Sequence, residues 1–249
     1  MWNNVLDLKR FYQSPLGRTA RRMIARRITE IWPSVSGLDF LGIGYPIPYL
    51  SPFKNEARRV AVVMPPRQGV IRWPAEGSNR TVLAHQAEMP FPNLTFDRVL
   101  IVHAFESAGS LRPMLREVWR VMSDSGRLLV VAPNRTGIWA RTDSTPFGAG
   151  LPYSAGQLDR ALRDCLYAPE RTRHALFAFP SSRRLSLSLS PTLERLGLRF
   201  FATFSGVILM EATKQIHAGA PEGTKRRTLR IGGGEIKAVP AGRGMRERS

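Results

Sequence analysis

The segment that decides the fold runs from residue 96 to residue 131 and reads FDRVLIVHAFESAGSLRPMLREVWRVMSDSGRLLVV. Its first part, Val99–His103, is a short apolar run that predicts a buried strand. Apolar residues then recur at spacings of three and four, which predicts a helix: Leu111, Met114, Leu115, Val118, Trp119 and Met122. Asp124-Ser125-Gly126 ends this helix, and Arg127–Ala132 predicts a second buried strand. Strand, helix and strand in this order are the unit from which α/β sheets are built.

Similar signals continue on both sides of this segment. Further strands are predicted at Leu38–Leu41, Val60–Met64, Thr81–Ala84, Phe200–Phe204 and Val207–Ala212, and further helices at residues 154–166 and 191–196. Strands that alternate with helices indicate an α/β sheet with helices on its faces.

The chain is strongly basic. Its 249 residues contain 37 Lys and Arg against 19 Asp and Glu, a formal net charge of +18. More than half of this excess lies at the ends, with seven basic against two acidic residues in 1–33 and nine against three in 213–249. The arginine-rich flanks therefore predict an anionic partner, which we expect to be nucleic acid, an acidic lipid surface or another protein.

Three regions are predicted. Residues 1–33 hold an amphipathic basic helix packed on the core, which begins near Ser14. Its apolar face is Met23, Ile24, Ile28, Ile31 and Trp32, and arginines including Arg27 occupy the remainder. Residues 34–212 form the α/β domain. Residues 213–249 lose periodicity and are rich in Gly, Pro, Arg and Lys, which predicts a disordered basic tail.

Several classes of protein are disfavoured. The single cysteine, Cys165, excludes an internal disulfide framework and a cysteine-rich zinc site, and no metal site is predicted. No apolar run approaches the roughly 20 residues that span a bilayer. The first residues lack the layout of a secretory signal, so we expect a soluble, cytoplasmic protein.

A resemblance to a known family lies in the order of five blocks. They are Leu41–Gly44, Ala87–Pro92 (AEMPFP), Phe96–His103, Leu115–Met122 (LREVWRVM) and Ser125–Val131 (SGRLLVV). Their succession resembles the class I, Rossmann-like S-adenosylmethionine-dependent methyltransferases of the type 11 methyltransferase-domain group, over roughly residues 35–135. The resemblance implies a mostly parallel sheet with helices on both faces, S-adenosyl-L-methionine as cofactor, and transfer of its methyl group to an acceptor that the sequence does not identify.

The resemblance also implies where the cofactor binds, between the first and fourth strands. The residues that it brings there are Gly42, Gly44, Tyr45, Pro46, Met64, Glu88 and Met89. His103 ends the fourth strand beside the cleft where methyl transfer is expected, so it is the candidate general base. Glu106, three residues later, is the alternative base.

The sequence departs from the family pattern at two places. The pattern is an acid, one residue and then Gly-x-Gly-x-Gly, and two registers are possible here. Either Gly42 and Gly44 match the first two glycines, or Gly44 matches the first; Gly44 is the one turn glycine common to both registers. The ribose-binding carboxylate expected at the end of the second strand is replaced by Met64-Pro65, and Gln68 is a conceivable substitute.

These departures leave an alternative function open. In this alternative the fold has lost catalysis and acts as a binding or scaffold subunit through its basic surface. A scaffold is expected to fill the cofactor crevice with side chains such as Tyr45, Pro46 and Met64, whereas an enzyme must leave it open. A dinucleotide-binding oxidoreductase is disfavoured, because neither the glycine spacing nor a following acid fits that class.

Overall fold

The computed structural model describes residues 4–180 and 204–215. The helices in this part of the chain are α1 (Val5–Gln13), α2 (Pro15–Ile31), α3 (Ile47–Leu50), α4 (Leu111–Val121) and α5 (Ala155–Arg163). The strands are β1 (Asp39–Gly44), β2 (Arg59–Met64), β3 (Thr81–Leu83), β4 (Phe96–Val102), β5 (Met122–Pro133), β6 (Tyr167–Ala175) and β7 (Val207–Lys214). The helix predicted at residues 191–196, most of the strand at 200–204 and the tail from residue 216 lie outside the described residues.

The strands form one sheet in the order β3-β2-β1-β4-β5-β7-β6. Neighbours from β3 to β5 are parallel, and β7 runs antiparallel to both β5 and β6. The strand order reverses where β1 lies beside β4, with Gly44 opposite Val102. The predicted Rossmann-like, mostly parallel sheet is therefore confirmed. Ligands bind beyond the carboxyl ends of such strands, at the point of reversal.

Helices cover both faces of this sheet because the central strands are apolar on both sides. In β4, Leu100 and Val102 join the cluster that contains the apolar side chains of α1, α2 and α3. The alternate residues Val99 and Ile101 pack with those of α4 and α5. Side chains of successive strand residues point to opposite faces, so the continuous apolar run predicts burial on both.

The N-terminal region contains two helices, where the sequence predicted one. Ser14 joins them, since its Oγ donates to the carbonyl oxygen of Phe11 (2.7 Å) and accepts from the amide of Gly17 (3.0 Å). The predicted apolar face of α2 is buried, but Arg27 lies there too, only 6% exposed. The assignment of Arg27 to the polar face was wrong, because Glu30 one turn later supplies an ion-pair partner.

Strand β6 is absent from the sequence prediction. Its residues, YAPERTRHA, are mostly polar or charged, as is usual for the edge strand that β6 forms. Pro169 precedes an irregularity in the pairing with β7, where a strand tolerates proline. The predicted boundary between residues 212 and 213 was also misplaced. It falls inside β7, whose pairing with β6 continues to Lys214.

Because His174 in β6 is partly buried, we expect the free energy of unfolding to fall in mild acid. Burial lowers the pKa of His174 below its ordinary value of 6.5, and its Nδ1 contacts Ser205 Oγ at 2.9 Å. The unfolded chain therefore binds a proton at a higher pH than the folded chain does. The free energy of unfolding should be full above pH 6.5 and fall as the pH drops through that value toward the lower folded-state pKa. Urea unfolding between pH 5 and 8 measures this slope, and H174Q should reduce it. An equal slope in H174Q would contradict the assignment.

Candidate active site

A cavity of about 350 Å³ opens beyond the carboxyl ends of β2, β3 and β4. We call it the switch-point cavity, since it lies on the side of the sheet where the strand order reverses. Its lining comes from Pro65–Gln68 after β2, His85–Ala87 after β3, residues between His103 and Met114 after β4, and Pro146 and Ala149 of the β5–α5 connection. The topology of open α/β sheets makes this the expected ligand site.

A buried chain of hydrogen bonds leads from this cavity to α1. His103 follows β4, and its Nδ1 lies 3.1 Å from Glu106 Oε1. Its Nε2 lies 2.8 Å from the hydroxyl of Tyr12, which in turn contacts the Tyr49 hydroxyl at 2.8 Å. His103 and Glu106 are each 5% exposed. The backbone of His103 has a φ of +56°, and such uncommon conformations concentrate at functional sites.

The hydroxyls of Tyr12, Tyr45 and Tyr49 remain protonated at neutral pH. Burial is the main cause that raises the pKa of Tyr12 well above its ordinary value, and Tyr49 adds to the shift. Burial likewise raises the pKa of Tyr49, and it raises that of Tyr45 to about 12. Each hydroxyl can therefore donate one hydrogen bond and accept another.

Gln68 shares the cavity with this chain. Its Nε2 donates to the carbonyl oxygen of His103 at 3.0 Å. Gln68 Oε1 and Glu106 Oε2 are both buried, and neither has a hydrogen-bond partner within the described residues. An unpaired buried polar atom is costly, so two of them on residues that line one cavity make these residues candidates for ligand contacts.

The glycine turn at the end of β1 is closely packed. Gly44 has a φ of +85°, and a Cβ added there would lie 2.2 Å from the carbonyl oxygen of Val102. The next amide, of Tyr45, donates to that same oxygen at 2.8 Å. Gly42 lies within β1, where an added Cβ would meet Pro46 Cγ at 2.4 Å. Gly44 is thus the glycine that turns the chain, which favours the register that makes it the first glycine of the motif.

Of the predicted site residues, the candidate base His103 lines the switch-point cavity, as do Glu106 and Gln68, which were named as alternatives. Gly42, Gly44, Tyr45, Pro46 and Met64 are buried at or beside the glycine turn, Met89 is 4% exposed within the core, and Glu88 is exposed. Their contacts with a cofactor stay predictions. The crevice is filled at the glycine turn and open beside it, so neither condition set for an enzyme or a scaffold is met completely.

Sequence reasoning missed Tyr12, which gives the site its link to α1. Its partner His103 is 91 residues away, and α1 itself was not predicted. Glu106 and Gln68 were named only as substitutes. The signal for Glu106 is its spacing of three from His103, which suits a hydrogen bond between the two side chains just after a strand.

Two classes of feature are absent from the described residues. Within 4–180 and 204–215, no helix is long and apolar enough to cross a membrane. In the same residues, no group of three or more His, Cys, Asp and Glu side chains could hold a metal ion.

Comparisons with known proteins agree with this architecture. The family model described as "Methyltransferase domain" matches residues 41–130. A demethylmenaquinone methyltransferase of Thermus thermophilus is 28% identical over 131 residues, which cover 51% of this chain and 58% of that protein. The chain thus matches this curated relative over less than two thirds of its length.

Solved structures share the fold at low sequence identity. A SAM-dependent methyltransferase of Thermotoga maritima, described as a possible histamine N-methyltransferase, has a TM-score of 0.58 and 15% identity, with 84% of this chain and 96% of that one covered. A SAM-dependent methyltransferase of Archaeoglobus fulgidus has a TM-score of 0.53 and 18% identity, with 78% and 94% covered. These structures share the Rossmann-like fold of this chain, and the match over residues 41–130 to the methyltransferase-domain model supports a class I S-adenosylmethionine-dependent methyltransferase.

Proposed function

We propose that this chain is an enzyme that transfers a methyl group from S-adenosylmethionine to an acceptor. The observation that carries the proposal is the switch-point cavity, which lies where open α/β sheets bind ligands and is lined by Gln68 and Glu106, each with one buried oxygen that has no partner in the described residues. The match of residues 41–130 to the methyltransferase-domain model supports the choice of cofactor. The fold by itself would not support it, because related folds host many activities.

The residues present fit the nucleoside half of this cofactor. Ligand pockets have volumes of about 300–1,000 Å³, so a cavity of about 350 Å³ suits a small ligand. Gln68 Oε1 and Glu106 Oε2 have no hydrogen-bond donor within the described residues, and ribose hydroxyls can donate hydrogen bonds. His85–Ala87 and Pro113–Met114 provide walls on either side. When bound, S-adenosylmethionine supplies a methyl group on a positively charged sulfur.

The chain's own contribution is mainly position and the exclusion of water. Methyl transfer is an in-line displacement whose main demands are proximity and alignment. The buried residues around the cavity hold His103 and Glu106 away from solvent. Both ring nitrogens of His103 are hydrogen-bonded, so the predicted role of His103 as general base requires that the ring exchange Tyr12 or Glu106 for the acceptor.

The name of the Thermus relative makes demethylmenaquinone the first acceptor to test. Exposed arginines on α2, Arg18, Arg21, Arg22 and Arg26, support the proposed anionic partner. The inactive scaffold remains the alternative, for which the filled glycine turn is the relevant observation.

Calorimetric titration of the purified chain tests this function. We expect S-adenosylmethionine and S-adenosylhomocysteine each to bind with micromolar dissociation constants, equivalent to roughly −8 kcal/mol. ATP, which shares the adenosine but carries phosphates, is the control ligand and should bind more weakly. A folded sample that gives no heat with either sulfur compound would contradict the enzyme and favour the scaffold.

A further inference from the structure

Glu106 is distinguished from the other residues that line the switch-point cavity. It is the one acid among the cavity's described lining residues. Its carboxylate is 5% exposed, with Oε1 engaged by His103 Nδ1 and Oε2 without a partner in the described part of the chain. A buried carboxylate oxygen that lacks a donor is energetically costly. This cost would be relieved by a ligand hydroxyl in the cavity.

The surrounding hydrogen bonds fix the direction of this carboxylate. An ionised Glu106 can only accept, so His103 Nδ1–H donates to Oε1. In the neutral Nδ1–H tautomer of His103, Nε2 accepts from the Tyr12 hydroxyl, and Tyr12 in turn accepts from Tyr49. Each donor in this series of hydrogen bonds thus points toward Glu106, and Glu106 Oε2 is the carboxylate oxygen left for a ligand.

The backbone of Glu106 is held equally firmly. Its carbonyl oxygen accepts from the amide of Leu151 at 2.9 Å. Gly150 packs so closely that an added Cβ would lie 2.5 Å from the same oxygen. The connection between β5 and α5 therefore holds the backbone of Glu106 in place.

Gln68 provides a second acceptor fixed to the same centre. Its Nε2 donates to the carbonyl oxygen of His103, so its unpartnered Oε1 has a defined position. Strand β2 ends in Met64-Pro65-Pro66 and offers no carboxylate. A ribose carries two neighbouring hydroxyls, and two residues that line the cavity each have a buried acceptor without a partner in the described residues.

We propose that Glu106, assisted by Gln68, binds the ribose hydroxyls of the cofactor in place of a carboxylate at the end of β2. His103 and Tyr12 are positioning residues that orient Glu106. This proposal rests on the proposed function and adds the residue that anchors the nucleoside. It assigns the ribose-binding carboxylate to the segment after β4, whereas the family pattern places it at the end of the second strand.

Calorimetric titration with nucleosides tests the assignment directly. The ligands are S-adenosylhomocysteine, adenosine, 2′-deoxyadenosine and 3′-deoxyadenosine, applied to the full chain and to E106Q. Removing a hydroxyl bound by Glu106 should weaken binding to the unmodified chain by roughly 10- to 100-fold. E106Q should bind adenosine more weakly than the unmodified chain does, by a similar factor. The affinities of E106Q for adenosine and for the nucleoside that lacks that hydroxyl should then differ by less than about 3-fold.

Glu76→Gln is the matched control, because it makes the same change in charge at an exposed residue outside the cavity. It should keep the full dependence on the hydroxyl. Thermal unfolding establishes that each variant is folded. Should E106Q not fold, E106D retracts the carboxylate while keeping its charge, and it should lower affinity for adenosine but not for 2′,3′-dideoxyadenosine.

The outcomes are separable. Equal loss from a missing hydroxyl in E106Q and in the unmodified chain would overturn the role of Glu106 while leaving the methyltransferase proposal intact. Failure of the unmodified chain to bind S-adenosylhomocysteine and adenosine would overturn the proposed function and, with it, this assignment. A reduced dependence in E106Q, with E76Q unchanged, is the supporting result.

Discussion

Replacing Gly44 by alanine is expected to lower the free energy of unfolding by between about 2 and 5 kcal/mol. A non-glycine residue at a φ of +85° is strained, by roughly 1–2 kcal/mol. The new Cβ would also lie 2.2 Å from the carbonyl oxygen of Val102 and 2.8 Å from Ala104 Cβ. Because the first of these atoms is backbone, β1 and β4 must move apart, at a further cost of about 1–3 kcal/mol. Urea unfolding measures the loss.

Gly156→Ala is the matched control for this prediction. Gly156 lies in the first turn of α5, where an added Cβ meets no atom within 4 Å. Alanine is the better helix former, so this variant should be unchanged or more stable by up to about 1 kcal/mol. Equal unfolding midpoints for G44A and G156A would show that the glycine turn is not the constrained point described above.

Those parts of the fold that have a strong apolar pattern could be predicted from the sequence. Strand β2 and helix α4 were predicted to within one residue of their observed bounds, and β4 was predicted to begin three residues late, because burial on one or both faces leaves a visible periodicity. Strand β6 could not, because an edge strand is covered on one side only and its charged residues hide the alternation. Helix α1 was missed although Leu8, Phe11 and Tyr12 are buried, since nine residues give a short and weak signal.

The site was predictable in place but not in composition. A strand followed by His103 located one wall of the cavity, because the carboxyl ends of parallel strands meet at one edge. The hydrogen bonds that define the site join residues distant in sequence, such as Gln68 with His103 and Tyr12 with Tyr49. No local pattern encodes such contacts. They depend on how α1 packs over the sheet, which only the folded chain reveals.

Tyr12 is expected to matter both for stability and for ligand binding. It is 7% exposed, and its ring stacks on Tyr45 with centroids 5.9 Å apart. Replacement by alanine removes this ring and should cost about 3–5 kcal/mol of unfolding free energy. Replacement by phenylalanine keeps the ring but leaves His103 Nε2 and the Tyr49 hydroxyl without their partner, at a cost of about 1–3 kcal/mol. Chemical denaturation measures both losses.

The Y12F variant tests whether the Tyr12 hydroxyl contributes to ligand binding or only to the stability of the fold. Tyr167→Phe is its control, because the buried Tyr167 hydroxyl also donates one hydrogen bond, to the carbonyl oxygen of Leu115 on the other face of the sheet. Both variants should lose stability, Y12F by about 1–3 kcal/mol and Y167F by about 1–2 kcal/mol. Only Y12F should weaken binding of S-adenosylhomocysteine, by about 3- to 10-fold, because an imidazole that has lost the Tyr12 hydroxyl no longer orients Glu106. Equal affinities in Y12F and Y167F would mean that α1 supports the fold without contributing to the site.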